Sequence, residues 1–262
     1  MRRAISWLRV PLFWLSAFGL DPVRFLYALA GAPRLAGDYL RFRRLHRGVP
    51  QWPVSLSAPC PADRNTPNGE TRGHYFWQDL YVAQRVFSAA PRHHVDVGSR
   101  VDGFVAHVAS FRPLTVLDIR SAGIKVPNVT FIQCDLLNLR GDLMGTADSV
   151  SCLHALEHFG LGRYGDPLGQ NLYQEGFSRL SELLTPGGAL YVSVPIGRQR
   201  VEFNAHRVFA VPTILALAGS HFDLERFSYI DDDGAFHVNA DCTAVELPRL
   251  SYGCGIFEFR KR

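Results

Sequence analysis

Cysteine is sparse and scattered in this chain: Cys60, Cys134, Cys152, Cys242 and Cys254 are odd in number and form no C-x-x-C pair. That argues against a disulfide framework or a zinc–thiolate finger, and leaves buried thiols in a reducing compartment. Long apolar runs are missing too. The uncharged stretch Val10–Leu20 is too short to span a bilayer, Arg9 and Pro11 interrupt what precedes it, and no clear small-residue cleavage site follows. Neither a spanning helix nor a cleaved export signal is therefore expected. The net charge is only +4, and a complete G-x-G-x-x-G is absent.

What is present is enough for a sizeable core: 262 residues, 47% of them hydrophobic. The charge, though small, is unevenly placed. Arg2, Arg3, Arg9, Arg24, Arg34, Arg41, Arg43, Arg44 and Arg47 crowd the first fifth of the chain against Asp21 and Asp38. Such a segment suits an anionic surface, while the slightly acidic remainder argues against a nucleic-acid groove. From Asp21 to Arg47 the spacing of Phe25, Leu26, Leu29, Leu35, Tyr39, Leu40 and Phe42 predicts an amphipathic helix, broken near Gly31-Ala32-Pro33. Two readings stand side by side, a helical hairpin on an anionic membrane interface and a helical pair packed on the main domain. Residues 48–72, with Pro50, Pro53, Pro59, Pro61 and Pro67, read as a linker, and residues 73–262 as the main domain.

The main domain is organised around His93–Phe104. An apolar run ends in Asp96-Val97-Gly98, and after a turn an amphipathic helix begins, the strand–turn–helix corner at which a nucleotide-like ligand lies in a parallel sheet. Leu114–Asp118 is a second run ending in an acid, 22 positions after Asp96, close to the roughly 20 expected of a ribose-binding carboxylate. Val129–Asp135 is a third. Before them a helix starts at Gly73, bringing His74 and Tyr75 within reach of the same edge.

A fourth strand, Ala147–Leu153, delivers His154-Ala155-Leu156-Glu157-His158 there, followed by a glycine-rich loop over Gly160–Gly169 and a helix to Leu184. Thr185-Pro186-Gly187-Gly188 precedes a fifth strand, Ala189–Pro195. Strands at Phe222–Tyr229 and Gly253–Phe259 predict an antiparallel hairpin at the sheet edge. The fold class is α/β: a doubly wound, Rossmann-like, mostly parallel sheet with an antiparallel edge strand, preceded by an N-terminal amphipathic helical segment.

Residues 73–262 resemble a class I S-adenosylmethionine-dependent methyltransferase. Asp96-Val97-Gly98 resembles the first motif, Asp118 the ribose-binding acid, Asp135 the adenine-side residue, and Leu184–Gly188 the turn before the fifth strand. The runs Gly73–Asp79, Asp96–Gly103, His154–Asp166 and Phe203–Phe209 are similar to an uncharacterised methyltransferase-like family, labelled a domain of unknown function. That family occurs in nematodes and in bacteria, often among surface-polysaccharide genes. The resemblance implies S-adenosylmethionine as cofactor, held by Asp96, Gly98, Asp118 and Asp135. Ser99-Arg100-Val101-Asp102 stands where the family's further glycines would be, and Arg100 could meet the methionine carboxylate instead.

Methyl transfer to oxygen needs alignment and a base. His154, nearest the fourth strand's end, is the first candidate for that base and His158 the second. Glu157 could orient an imidazole, and His206 completes the catalytic set; for each, a packed or capping role is the alternative. The H-x-x-E-H of the inverted zinc peptidases also matches, but here it starts where a strand ends, so a metal hydrolase ranks third. No metal is assigned, although Glu157, His158 and His206 could hold a divalent ion. Arg163, Tyr164 and Asp166 could bind a sugar, and Arg207 an acceptor phosphate; a rigid connector and a structural Arg–Asp pair are the alternatives.

The expectation is a cytoplasmic methyltransferase that O-methylates a sugar of a nucleotide- or lipid-linked glycan. Its residues 1–47 would make a peripheral contact with an anionic membrane, and no nucleic acid partner is expected. A catalytically silent scaffold of the same fold in a glycan-assembly complex is the alternative.

Overall fold

The computed structural model describes residues 6–47, 51–65, 71, 73–121, 123 and 125–262. Arg2, Arg3, Gly48, Pro50, Pro67 and Gly69 lie outside the described residues. The chain divides into two units, Met1–Glu70 and Thr71–Arg262. In the first, α1 (Ser6–Ala17) and α2 (Pro22–Leu45) meet at a turn containing Gly19, whose φ is +82°. The Asp21 side chain caps α2 by accepting from the Arg24 amide at 2.9 Å, Pro22 sits in the first turn, and Arg43 and Arg44 face the negative end of the helix dipole.

The expected break at Gly31-Ala32-Pro33 does not occur, because α2 runs through it. Pro33 removes one backbone hydrogen bond, but the α-forming residues around it carry the helix on. Gly31 lies against the backbone of Pro61, where a Cβ would overlap the carbonyl. It is a close-packing glycine rather than a stop. Among the described residues no single helix is long and apolar enough to cross a membrane; the pair Pro11–Ala17 and Pro22–Leu45, bent by 80°, reaches that length only together.

The second unit opens with α3 (His74–Ala89), and its strands are β1 (His94–Val97), β2 (Leu114–Asp118), β3 (Val129–Gln133), β4 (Ala147–Leu153) and β5 (Leu184–Ile196). Between β1 and β2 lie a π-helical turn, Val101–Val105, and α4 (Ala106–Ala109). Helix α5 (Leu172–Leu183) connects β4 to β5. The chain finishes with β6 (Arg200–Glu202), β7 (His206–Val208), α6 (Val211–Ala218), β8 (Phe222–Ile230), β9 (Phe236–His237) and β10 (Gly253–Lys261).

The sheet order is β3-β2-β1-β4-β5-β10-β8-β9, with β6 and β7 forming a separate ribbon. Strands β1 to β5 are parallel to one another. The order reverses between β1 and β4, which opens a crevice at their carboxyl ends.

The expected antiparallel strands lie at that end of the sheet: the short antiparallel β9 takes the edge, and β10 is inserted between β5 and β8. Its Ile256, Phe257 and Phe259 are buried. A strand apolar on both faces is stable only where both faces are covered, so the short β9 takes the edge.

Alternation along the strands feeds two cores. Leu117, Val192 and Phe257 join Phe177, Leu180 and Leu183 of α5 on one face. Val116, Tyr191 and Ile256 join Val82 and Val86 of α3 and Phe104 of the π turn on the other. Each such side chain contributes roughly 1.5–3 kcal/mol by leaving water.

Candidate active site

At the carboxyl ends of β1, β2, β3 and β4 lies a cleft enclosing about 930 Å³, its open mouth included. Gly98, Asp118, Asp135, Arg100, His154, His158, Tyr164 and Asp166 line it. Gly98 ends β1 with φ +70°, and a Cβ there would stand 3.0 Å from the Ala155 Cβ. Glycine alone relieves both the backbone strain and the contact.

Asp96 does not reach the cleft, contrary to expectation. It lies inside the ladder, opposite Val116 and Ser151, and is fully buried. There it accepts from the Ser99 amide (3.1 Å), the Ser99 hydroxyl (2.6 Å) and the Ser151 hydroxyl (2.5 Å). Its role is to brace the loop that follows Gly98. Burial pushes its carboxyl up to about 6 despite these donors. Ser99 and Ser151 were not anticipated, although Ser149 and Ser151 alternate on β4 opposite His94 and Asp96.

Asp118 is the last residue of β2 and faces the cleft. Its carboxylate is held by Arg120, through the backbone amide (2.8 Å), Nε (2.9 Å) and Nη2 (2.7 Å). The Arg120 guanidinium also lies 4.6 Å over the Tyr164 ring. A ligand hydroxyl reaching Asp118 therefore meets a carboxylate already engaged by Arg120, a residue that sequence reasoning passed over even though the Asp-x-Arg spacing was visible. Asp135, just past β3, accepts from the Leu137 amide (3.0 Å) and Asn138 Nδ2 (2.8 Å). Arg100 pairs with Asp102 at 2.7 Å and lies 5.1 Å over Tyr75. That leaves it on the rim of the cleft.

His154 follows β4 at φ +50°, held there by its amide's bond to the Ser193 carbonyl (3.0 Å). Its Nδ1 faces Glu157 Oε1 at 2.6 Å and its Nε2 faces His74 Nδ1 at 3.1 Å, while His74 Nε2 donates to the Tyr252 carbonyl at 3.2 Å. A carbonyl only accepts, so His74 Nε2 carries a proton. Burial lowers the His74 pKa to about 4, so the ring is neutral and its bare Nδ1 accepts from His154 Nε2–H. Despite burial, Glu157 raises the His154 pKa well above its ordinary value, while His154 in turn holds the Glu157 carboxyl down against the same burial. His154 is therefore an imidazolium with both N–H groups committed. It offers no lone pair, so it is not the base that the sequence reading preferred.

His158 is differently placed. Its Nδ1–H donates to the Ala205 carbonyl at 2.7 Å, leaving Nε2 bare, 3.8 Å from Glu157 Oε1. Desolvation lowers its pKa, so it is neutral at pH 7. Glu157 and His158 belong to a short 3-10 turn, Leu156–His158, rather than to an α-helix, so the zinc-peptidase arrangement is not formed. His206 does not line the cleft. It pairs with Glu202 at 3.3 Å and its ring lies 4.9 Å from that of Tyr252, so Glu157, His158 and His206 do not assemble as a ligand set.

The loop over Gly160–Gly169 is tied to the cleft by Asp166, which accepts from the amides of Gly160 (2.9 Å), Gly162 (3.2 Å) and Tyr164 (3.1 Å). Arg163 donates to the Ala205 carbonyl at 2.8 Å, outside the cleft lining. Arg207 is not available to an acceptor phosphate. It is buried and donates to the carbonyls of Phe159 (2.6 Å), Glu157 (3.3 Å), Gly169 (3.4 Å) and Gln170 (3.4 Å), clamping the chain after β4.

The family described as "Caenorhabditis protein of unknown function, DUF268" matches residues 125–241. That span holds His154–Asp166 and Phe203–Phe209 but not the β1 loop. No curated protein matches the chain. Among solved structures, the [4+2]-cyclase SpnF is similar with a TM-score of 0.52 at 13% identity, over 74% of this chain and 85% of that one. A 1,6-didemethyltoxoflavin-N1-methyltransferase of Burkholderia thailandensis, solved with S-adenosylhomocysteine, gives 0.49 at 18% identity, over 70% and 78%. The N-methyltransferase NodS of Bradyrhizobium japonicum, also with S-adenosylhomocysteine, gives 0.48 at 13%, over 71% and 87%. At 13% identity, what the chain shares with SpnF is the α/β fold rather than a reaction.

Proposed function

We propose that the protein is an S-adenosylmethionine-dependent methyltransferase acting on a hydroxyl group, most specifically of a sugar in a nucleotide- or lipid-linked glycan. The observation that carries this is one cleft with two kinds of wall. One wall, at the switch point of the sheet, offers Gly98, Asp118 and Asp135 at successive strand ends, together with apolar Leu136 and Leu137. The other includes His158, whose Nδ1 is engaged by the Ala205 carbonyl and whose Nε2 is bare. Gly98, where a Cβ would press on Ala155 of the cleft lining, and the Asp118 carboxylate at the cleft end of β2 suit S-adenosylmethionine.

When bound, the cofactor would supply a methyl group on an electrophilic sulfonium. The residues of this chain do the rest. Asp118 would exchange Arg120 for the ribose hydroxyls, and Gly98 lets the backbone approach the ligand. His158 Nε2 would take the proton of the acceptor hydroxyl, and the buried Glu157 carboxylate stabilises the imidazolium so formed. Tyr164, released from Arg120, presents an aromatic face to a sugar ring. Peripheral contact with an anionic membrane belongs to the same reading, supported by the arginines of residues 1–47 and the exposed Phe13, Trp14 and Phe18.

Calorimetric titration with S-adenosylhomocysteine tests the cofactor assignment. Micromolar binding is expected, weakened about tenfold or more in Asp118→Ala, equivalent to about 1.4 kcal/mol. No binding to the folded wild-type chain would overturn it in favour of a silent scaffold, the reading that the Arg120–Asp118 pair and the non-glycine Ser99–Asp102 segment favour.

A further inference from the structure

Behind the cleft wall, three side chains from three separate elements converge. A ring nitrogen of His74 (start of α3), one of His154 (after β4) and Sγ of Cys254 (β10) all lie within 4.8 Å of one another. The facing pair, His74 Nδ1 and His154 Nε2, is 3.1 Å apart. Tetrahedral bonds of roughly 2.0–2.1 Å to zinc imply a nitrogen–nitrogen edge of about 3.3 Å.

The outward nitrogens make the case stronger. His74 Nε2–H donates to the Tyr252 carbonyl at 3.2 Å, and His154 Nδ1–H to Glu157 at 2.6 Å. A metal-binding histidine ordinarily gives its distal N–H to a carbonyl or a carboxylate, which sets its tautomer and aims the other nitrogen at the ion. Both histidines have that arrangement here, and a ring nitrogen of each lies within 4.8 Å of the Cys254 thiol. Cys254 is fully buried, with Sγ 3.7 Å from Gln78 Oε1. Gln78 Oε1 is itself oriented by the Ser193 hydroxyl at 2.6 Å.

We propose that His74 Nδ1, His154 Nε2 and Cys254 Sγ form a binding site for a borderline divalent cation of the zinc type. Two nitrogens and a thiolate suit such an ion and disfavour magnesium or calcium. Binding is an exchange: the ion takes the place of the proton between the two rings and of the thiol proton, and two protons are released. It requires Cys254 Sγ to move inward by no more than about 1.3 Å to reach a nitrogen–sulfur edge of about 3.5 Å. The site is separate from the methyl-donor assignment and stands or falls independently of it.

Cobalt titration of the purified full chain provides the test. One equivalent of Co²⁺ is expected to give a thiolate-to-cobalt band in the near ultraviolet with four-coordinate bands in the visible, and Zn²⁺ should displace both. Cys254→Ser should abolish the near-ultraviolet band, and His74→Ala should weaken binding at least tenfold. Cys60→Ser, altering an exposed thiol in the first unit, should change neither. Circular dichroism establishes that each variant is folded; should Cys254→Ser fail to fold, a Zn²⁺-induced rise in the wild-type Tm that His74→Ala loses supports the site. A folded wild-type chain without the bands at saturating Co²⁺, or bands unchanged in either variant, would overturn it.

Discussion

The geometry of single residues decides which groups in the cleft are free to react. His154 has both nitrogens engaged, whereas His158 keeps Nε2 bare beside Glu157. His158→Ala should therefore lower kcat by roughly 10²–10⁴ while leaving S-adenosylhomocysteine affinity within about twofold of wild type, measured by single-turnover assay and calorimetry on the same sample. A fall in affinity parallel to that in kcat would place His158 in cofactor binding instead.

Asp96 makes a second residue-scale prediction. Its folded pKa, pushed up to about 6 by burial, lies above the unfolded value of 3.8, so the folded chain binds the proton more tightly. Its contribution to stability is full below about pH 4 and is lost as the pH rises through 6, by about 3 kcal/mol in all. Urea midpoints of Asp96→Asn should accordingly be flatter over pH 4–7 than those of the wild type. Asp79, also pushed up to about 6, remains to give part of the slope.

At the scale of elements, the loop after β4 depends on a few polar anchors. Asp166 satisfies three backbone amides of the loop, and Arg207 gathers four carbonyls on its other side. Removing the Asp166 carboxylate leaves those amides to water or unpaired, at about 1–3 kcal/mol. Asp166→Ala should speed hydrogen exchange across Gly160–Gly169 while leaving exchange in β4 and β5 unchanged. These partners were hard to foresee because an aspartate in a glycine-rich loop serves a ligand or its own backbone equally well, and only the folded path of the loop distinguishes the two. The run of α2 through Pro33 has the same character. A proline weakens a helix locally, but whether the helix stops depends on the residues on both sides and on what packs against it.

At the scale of the whole molecule, both hydrophobic cores are built from residues of Thr71–Arg262. The chain from Thr71 onward, expressed alone, should unfold in one cooperative transition by circular dichroism and tryptophan fluorescence, and a non-cooperative melt would show that its core is incomplete. Within that unit the last strand matters most, since β10 joins the parallel half of the sheet to β8 and β9.

The α/β class, the approximate positions of the five parallel strands and the edge at which their acids and histidines gather are legible in the amino-acid sequence. Those features are local: alternation with period two and acids and glycines at strand ends are written in neighbouring positions, whereas Thr185-Pro186-Gly187-Gly188, expected as a turn before the fifth strand, lies within β5. Only the tertiary structure decided which of those residues face the cleft. Asp96 lies one residue before the end of β1 and turns away from the cleft, Asp118 lies at a strand's last position and faces it, and Arg207 is consumed by carbonyls up to 50 residues distant. The insertion of β10 between β5 and β8, and the meeting of His74, His154 and Cys254, also belong to the tertiary structure. Both depend on contacts between segments far apart in the chain, set by which strand finds cover on both faces, and no spacing along the sequence encodes that.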